Sequence, residues 1–296
     1  EVFSTWCLVG WVWRVGAGKV VKLLVAGLST KIKPARQELR VLLYPSTIDL
    51  STTTLRYVAD LLRAHRRAVG SRWRKLAAHE QARLVLAFLR HGDTYARLAA
   101  GFGIGVATVY RYIHETTRLL AGRAPSLQAA LWRLAWTHNN FAILDGTEIR
   151  INRVAANRPF YSGKHRHHAI NLQGLTDPYG RLIWISPGLP AGSVNDTSAA
   201  RAHRIPELAE KAGIWLLADR GYHKLAPGVI TPYKSWHGPL TTPYTDANTA
   251  HARIRCHGER GFATLKNWHV LDRVRCSPHH VTTLAQAILT LEHQTR

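Results

Sequence analysis

The chain has 296 residues, 46% of them hydrophobic, enough to bury a sizeable core in one large domain or two ordinary ones. Its 40 Lys and Arg face only 18 Asp and Glu, and the excess is heavier in residues 1–140 (21 basic, 7 acidic) than in 141–296 (19 basic, 11 acidic). A surplus that large points to a polyanion, because each cation that neutralises a phosphate releases condensed counterions. Nucleic acid fits better than an acidic membrane, since the basic residues are spread through amphipathic segments rather than massed beside one apolar helix.

Cys7, Cys256 and Cys276 follow no framework spacing, so no disulfide is predicted and a reduced, cytoplasmic compartment is expected, nucleoid-associated if the polyanion is DNA. The apolar run over residues 6–13 is interrupted by Arg14, Lys19 and Lys22 short of membrane-spanning length, and no transmembrane helix is expected there. The chain contains no methionine, so its true start is expected to lie elsewhere. Residues 1–40 are read as an N-terminal extension.

Residues 55–69 place Leu55, Val58, Leu62 and Val69 near one helical face while Arg63, Arg66 and Arg67 crowd another. A second helix is predicted at 78–91 with Ala82, Val85, Leu86 and Leu89 as its stripe, and His91, Gly92, Asp93 and Thr94 then read as stop and cap. Residues 95–113 have the pattern of a helix-turn-helix: Ala99 where two helices cross, Gly103 at the turn, and Val109 holding the second helix down. Thr108, Tyr110 and Arg111 on that second helix are the expected DNA readers. A plain helical bundle is the competing reading, and the adjacent basic helix argues against it. Residues 121–140, with Pro125, read as a junction. A helical DNA-binding domain is therefore expected over 41–138 and a second domain over 139–296.

Strands are predicted at 141–144, ending in Asp145 and Gly146, at 167–175 and at 181–186, with a hairpin turn at 177–180 between the last two. A helix over 196–211 and a buried strand over 214–218 follow, the strand ending in Asp219. A loose stretch at 226–248 precedes helices at about 249–268 and 279–292. The layout is α/β with a mixed sheet.

Asp145 and Asp219 each stand just beyond an apolar strand, where open α/β sheets place ligand-binding groups. Glu259 lies on a predicted helix, with Lys266 returning to its side, and completes a candidate trio. Three converging carboxylates repel one another unless a hard divalent cation holds them, which points to two Mg²⁺ or Mn²⁺ ions and phosphoryl transfer. Arg255 and Lys266 are placed to hold phosphates. Each acid alone has a plainer explanation as a turn former or a solvated helix residue; the ordered trio carries the reading.

The segments LDGTEIRI, YSGKHRHHAINLQ, PAGSVNDTSAAR, LADRGY and ERGFATLK occur in this order. Together they resemble the DDE transposases of bacterial insertion sequences, in the group named for insertion sequence five, and Harbinger-type elements share several of them. The likeness runs from about residue 42 to 292. It implies a ribonuclease-H-like fold with catalytic acids at Asp145, Asp219 and Glu259. It also implies binding of double-stranded DNA at transposon terminal inverted repeats, metal-dependent cleavage, and strand transfer to target DNA by a homodimer or larger synaptic complex. The sequence departs from the family's usual pattern at Asn195, where His is common, at Arg220, where Lys is common, and at Ala252, which stands at a Tyr position. Asp196 is read as an N-cap or first-turn residue ahead of a possible accessory acid.

A zinc site is not expected. His167 and His168 alternate across a strand, Cys256-His257 and Cys276 with His279-His280 match no zinc module, and Lys164 and Arg166 read instead as part of a basic, DNA-facing strand. Two other readings compete with a transposase: a DNA-binding regulator that has lost catalysis, and a ribonuclease-H-like nuclease that needs no specific DNA ends.

Overall fold

Helix ends written into the sequence set the N-terminal architecture. A computed structural model describes residues 48–71, 73–152, 158–235, 238–272 and 274–294; the expectations for residues 1–40 fall outside them. Helix α1 (Thr52–Ala68) starts at Ser51, whose hydroxyl accepts from the Thr54 amide at 3.1 Å, and buries Val58, Leu61 and Leu62. Helix α2 (Ala78–His91) stops at Gly92, which takes the left-handed conformation at φ 66°. Thr94 caps α3 (Tyr95–Phe102), Gly103 makes the turn at φ 63°, and α4 (Val106–Ala121) follows with Val109 fully buried.

A polar brace ties these helices together. Glu115 of α4 accepts from Arg74 at 2.7 Å and from Gln81 at 2.9 Å, Gln81 also bonds Thr116 at 3.0 Å, and Arg66 donates to Gln81 at 2.7 Å. Gln81 and Thr116 are fully buried, so each bond satisfies a group that would otherwise be stranded away from water.

The segment 121–140 is not a plain junction. Ser126 caps α5 (Leu127–Trp136), accepting from Ala129 N at 3.2 Å, and Leu127, Ala130, Leu131 and Leu134 form its buried stripe. Pro125 stands just ahead of the cap, where a missing amide costs the helix nothing.

The sheet contains β1 (Phe141–Arg150), β2 (Tyr161–Ser162), β3 (His167–Thr176), β4 (Leu182–Ile185), β5 (Leu189–Pro190), β6 (Trp215–Leu217) and β7 (Val229–Ile230), in the order β2-β3-β1-β6-β7 with β4 and β5 also on β3. β1 runs antiparallel to β3 and parallel to β6, giving the mixed sheet expected. The helix predicted over 196–211 is two, α6 (Asp196–Ala202) and α7 (Ile205–Lys211). Arg204 breaks them at φ 56°, and Pro206 in the first turn of α7 cannot donate back into α6. Helix α8 (Thr242–Lys266) begins earlier than expected, and α9 (Pro278–Gln294) closes the fold. No described helix is long and apolar enough to cross a membrane.

Strand alternation sends β1 side chains to two cores. Ala142 and Leu144 pack with Leu131, Leu134, Ile205 and Leu216 of α5, α7 and β6. Ile149 joins the other core, which runs from Leu89 of α2 and Ile113 of α4 to Ile288 of α9. Thr290 adds a bond across it, donating from α9 to the Leu120 carbonyl at 3.0 Å.

Helix α8 lies close against the strands because glycines face them. A Cβ on Gly258 would stand 2.7 Å from Ile143 Cγ2, and one on Gly174 would stand 2.6 Å from the Phe262 ring. Gly258→Val is therefore expected to lower stability by about 1–3 kcal/mol through overpacking. A urea midpoint equal to wild type would show that α8 is not seated this closely.

Candidate active site

β1 and β6 pair only over Phe141–Trp215, Ala142–Leu216 and Ile143–Leu217. Beyond that point β6 leaves, while β1 continues along β3 to Arg150, so Asp145 sits inside a strand rather than past its end. In sequence Asp145-Gly146 reads as the end of the strand, a pair that commonly turns, but Gly146 pairs with Gln173 and the ladder carries on. Asp219 follows β6 at the place where the two strands separate. Its carboxylate accepts from Gly221 N at 2.8 Å and opens the turn Arg220–Tyr222.

Asp145 accepts from its neighbouring Gly146 amide at 2.9 Å. Burial pushes its carboxyl above the ordinary Asp range; the Gly146 amide and Arg255 pull it back, and Asp219 and Asp196 push it up further. The charges of Asp219, Asp196 and Arg255 thus all act on Asp145, Asp196 from behind the strand on the Gly146 side. The Arg255 Nε is buried without a hydrogen-bond partner. Glu259 is exposed on α8, one turn beyond Arg255 and two turns before Lys266. Among the described residues, no three His, Cys, Asp or Glu stand close enough to hold one ion between them. The donor set still suits Mg²⁺ or Mn²⁺: these ions take one or two carboxylates and keep waters and substrate phosphates as their other ligands. A half-buried acid pressed by neighbouring carboxylates is also relieved by a cation.

Behind Asp145 lies a polar cluster of which only Asn195 and Asp196 stood out in the sequence. Asn195 is the cap of α6, accepting from Ser198 N at 2.8 Å, and Asp196 sits in the first turn. Asp196 Oδ1 accepts from Asn171 at 2.7 Å and from Gln173 at 3.1 Å, and the Tyr222 hydroxyl donates to Gln173 at 2.5 Å. The available signal was Asn171 and Gln173 alternating with Ile170 and Leu172 in a strand otherwise buried as apolar.

Two family models match the chain. Residues 144–292 match the DDE superfamily endonuclease model, and residues 74–126 match the helix-turn-helix of DDE superfamily endonuclease. The chain belongs to the DDE superfamily. "Putative transposase for insertion sequence element IS112" of Streptomyces albus G is 28% identical over 76% of this chain and 81% of its own length. "Putative nuclease HARBI1" of Xenopus laevis is 26% identical over 66% of this chain, and its human counterpart 25% identical over 74%. The DDE chain spans 60% and 65% of those two proteins. No solved structure matches it.

The helix-turn-helix of this DDE superfamily member leaves Tyr110 and Arg111 exposed on α4, with Thr108 half-buried and accepting from Arg111 at 3.4 Å. On α1, Arg67 is exposed and Arg63 pairs with Asp60, whereas Arg66 turns inward to the Gln81 brace. Burial, then Arg74, lowers the proton affinity of Arg66. Lys164 and Arg166 are exposed in the turn between β2 and β3 rather than in a strand, with Arg166 at φ 54°. Lys266 is exposed in the last turn of α8.

The raised Asp145 carboxyl has a consequence for stability. The folded state holds that proton more tightly than the unfolded chain, so the residue costs no stability below the ordinary Asp value near 4 and costs progressively more as pH rises through its folded value. Asp145→Asn is accordingly expected to raise Tm at pH 7 in the absence of divalent ions, with the gain vanishing below about pH 4. A lower Tm for the variant at pH 7 would contradict the burial that drives the shift.

Proposed function

We propose that this chain is a transposase that binds transposon terminal inverted repeats through its helix-turn-helix, cuts there with Mg²⁺ or Mn²⁺, and joins the freed end to target DNA. The supporting observation is the presence, in one compact unit, of a helix-turn-helix and an acid pair at the point where a mixed sheet opens. In this reading residues 41–138 are the DNA-binding part and 139–296 a ribonuclease-H-like catalytic part, acting on cytoplasmic, nucleoid-associated DNA. A homodimer or larger assembly follows from the need to handle two ends together.

Asp145 and Asp219 are the carboxylates that would hold two divalent ions, with Glu259 as the third acid and Asp196 as an accessory one. Bound there, the ions supply positive charge against the oxyanion that builds up during phosphoryl transfer. Water breaks a phosphorus–oxygen bond at the element's end and leaves a 3′-hydroxyl; that hydroxyl then attacks a target phosphodiester, whose own phosphorus–oxygen bond breaks as the new one forms. Arg255 and Lys266 hold phosphates beside the acids. Thr108, Tyr110 and Arg111 meet the major groove, and Arg63, Arg67, Lys164 and Arg166 lie on surfaces open to backbone phosphates. Arg66 supports that surface from within through its bond to Gln81.

A nuclease that cuts without joining is the second reading, favoured by the word nuclease in the names of the Xenopus and human relatives. The two readings part on the products formed from DNA flanking the element's own gene. Cutting at the repeat ends followed by joined products is expected for wild type, while Asp219→Asn and Glu259→Gln should lower cleavage by more than about 100-fold, beyond the usual cost of an outer-shell partner, with DNA binding kept. Cutting without joining would move the assignment to a nuclease, and specific binding without any cutting to a regulator that has lost catalysis.

The helix-turn-helix assignment has its own test in a salt titration. Arg111→Ala is expected to weaken binding and to reduce the slope of log affinity against log salt by about 1, as for one lost phosphate contact. An unchanged affinity and slope would remove Arg111 from the interface.

A further inference from the structure

By strand alternation Asp145 faces the α8 side of the sheet and Gly146 the opposite side. A Cβ on Gly146 would collide with Asp196 Oδ1 and stand 2.9 Å from Gln173 Nε2, so two polar side chains fill the space directly behind the first acid. Gln173 is fully buried and uses both ends of its amide. Its Oε1 accepts from the Tyr222 hydroxyl at 2.5 Å, and its Nε2 donates to Asn171 at 2.7 Å and to Asp196 at 3.1 Å. Tyr222 is itself buried and belongs to the turn that Asp219 opens. A neutral amide can accept from a phenol at its oxygen and donate to a carboxylate from its nitrogen without adding charge.

We propose that Gln173 is a positioning residue for the acid pair: through Tyr222 it fastens the turn carrying Asp219 to Asp196 and to the back of β1, and so fixes the gap between Asp145 and Asp219. The inference rests on the reading that these two acids bind a divalent ion. The gap needs such a tie because β6 and β1 share no hydrogen bond beyond the Ile143–Leu217 pair. Outer-shell partners that orient ligating carboxylates act in this way, and their loss weakens ion binding or activity about 10–100-fold.

The test uses the full chain as wild type, Tyr222→Phe, Gln173→Met and the double variant, with Asp145→Asn as the reference for a lost ligand. Mn²⁺ affinity is read from the electron paramagnetic resonance signal of the free ion, alongside DNA affinity, cleavage and Tm. Each single variant is expected to bind Mn²⁺ about 10–100-fold more weakly at unchanged DNA affinity. The double variant is expected to be no weaker than the worse single one, because both changes cut the same tie. Mn²⁺ affinity within about twofold of wild type, with or without a fall in Tm, would reduce the cluster to a satisfied piece of core and overturn the proposal. Should Gln173→Met fail to fold, Tyr222→Phe decides, since it keeps the ring and removes one hydroxyl. Wild type that binds Mn²⁺ through Asp145 yet cuts no DNA would sink the cleavage reading alone, with the variants' Mn²⁺ affinities still deciding this one. Wild type that binds no Mn²⁺ would overturn both.

Discussion

The separation of β6 from β1 after three paired residues is the constraint on which the rest of the site depends. Parallel strands hold each other through evenly spaced hydrogen bonds, and where pairing stops the backbone edge must find another partner or face water. Here β1 keeps its ladder with β3, its other edge carries no strand from Asp145 until the Arg150 carbonyl accepts from Val274 N at 3.0 Å, and β6 turns into the segment that begins at Asp219. Two acids far apart in sequence thereby meet at one opening, and burial raises the cost of charging the first of them.

Close packing on one face and polar filling on the other keep that opening in shape. Glycines at 174 and 258 let α8 lie against β1 and β3, which carries Arg255 to Asp145. On the reverse face Gly146 leaves room for Asp196 and Gln173, so both faces of one short stretch depend on an absent side chain. The strand is thin where the chemistry is proposed, and its neighbours supply the bulk.

Much of this was legible in the sequence, and the misses have identifiable causes. Helix α2 was readable to the residue because its apolar stripe is followed by Gly92 and Thr94, each with one plain local role. Asp145 and Asp219 were readable as acids following apolar runs, yet the length of β1 was not, since tertiary pairing with β3 overrode a local Asp-Gly turn signal. Pro125 concealed α5 by reading as a break, although Ser126 and the leucine stripe stood beside it. Helical period put Glu259, Arg255 and Lys266 on one side of α8, but the rotation of that helix against the sheet is set by Gly258 and Phe262, contacts that no periodicity states. The cluster of Asn171, Gln173, Asp196 and Tyr222 draws on three separate elements, so it existed only once the chain had folded.

One hydrophobic core extends from the helix-turn-helix to the sheet, with Thr290 bonded to Leu120 across it. No flexible tether therefore separates the helix proposed to read bases from the acids proposed to cut. In a DNA-processing enzyme built this way the fold acts as a ruler: the distance from recognised sequence to broken bond is a property of side-chain packing, and core substitutions between Ile113 and Ile288 would move the scission point before they abolished scission.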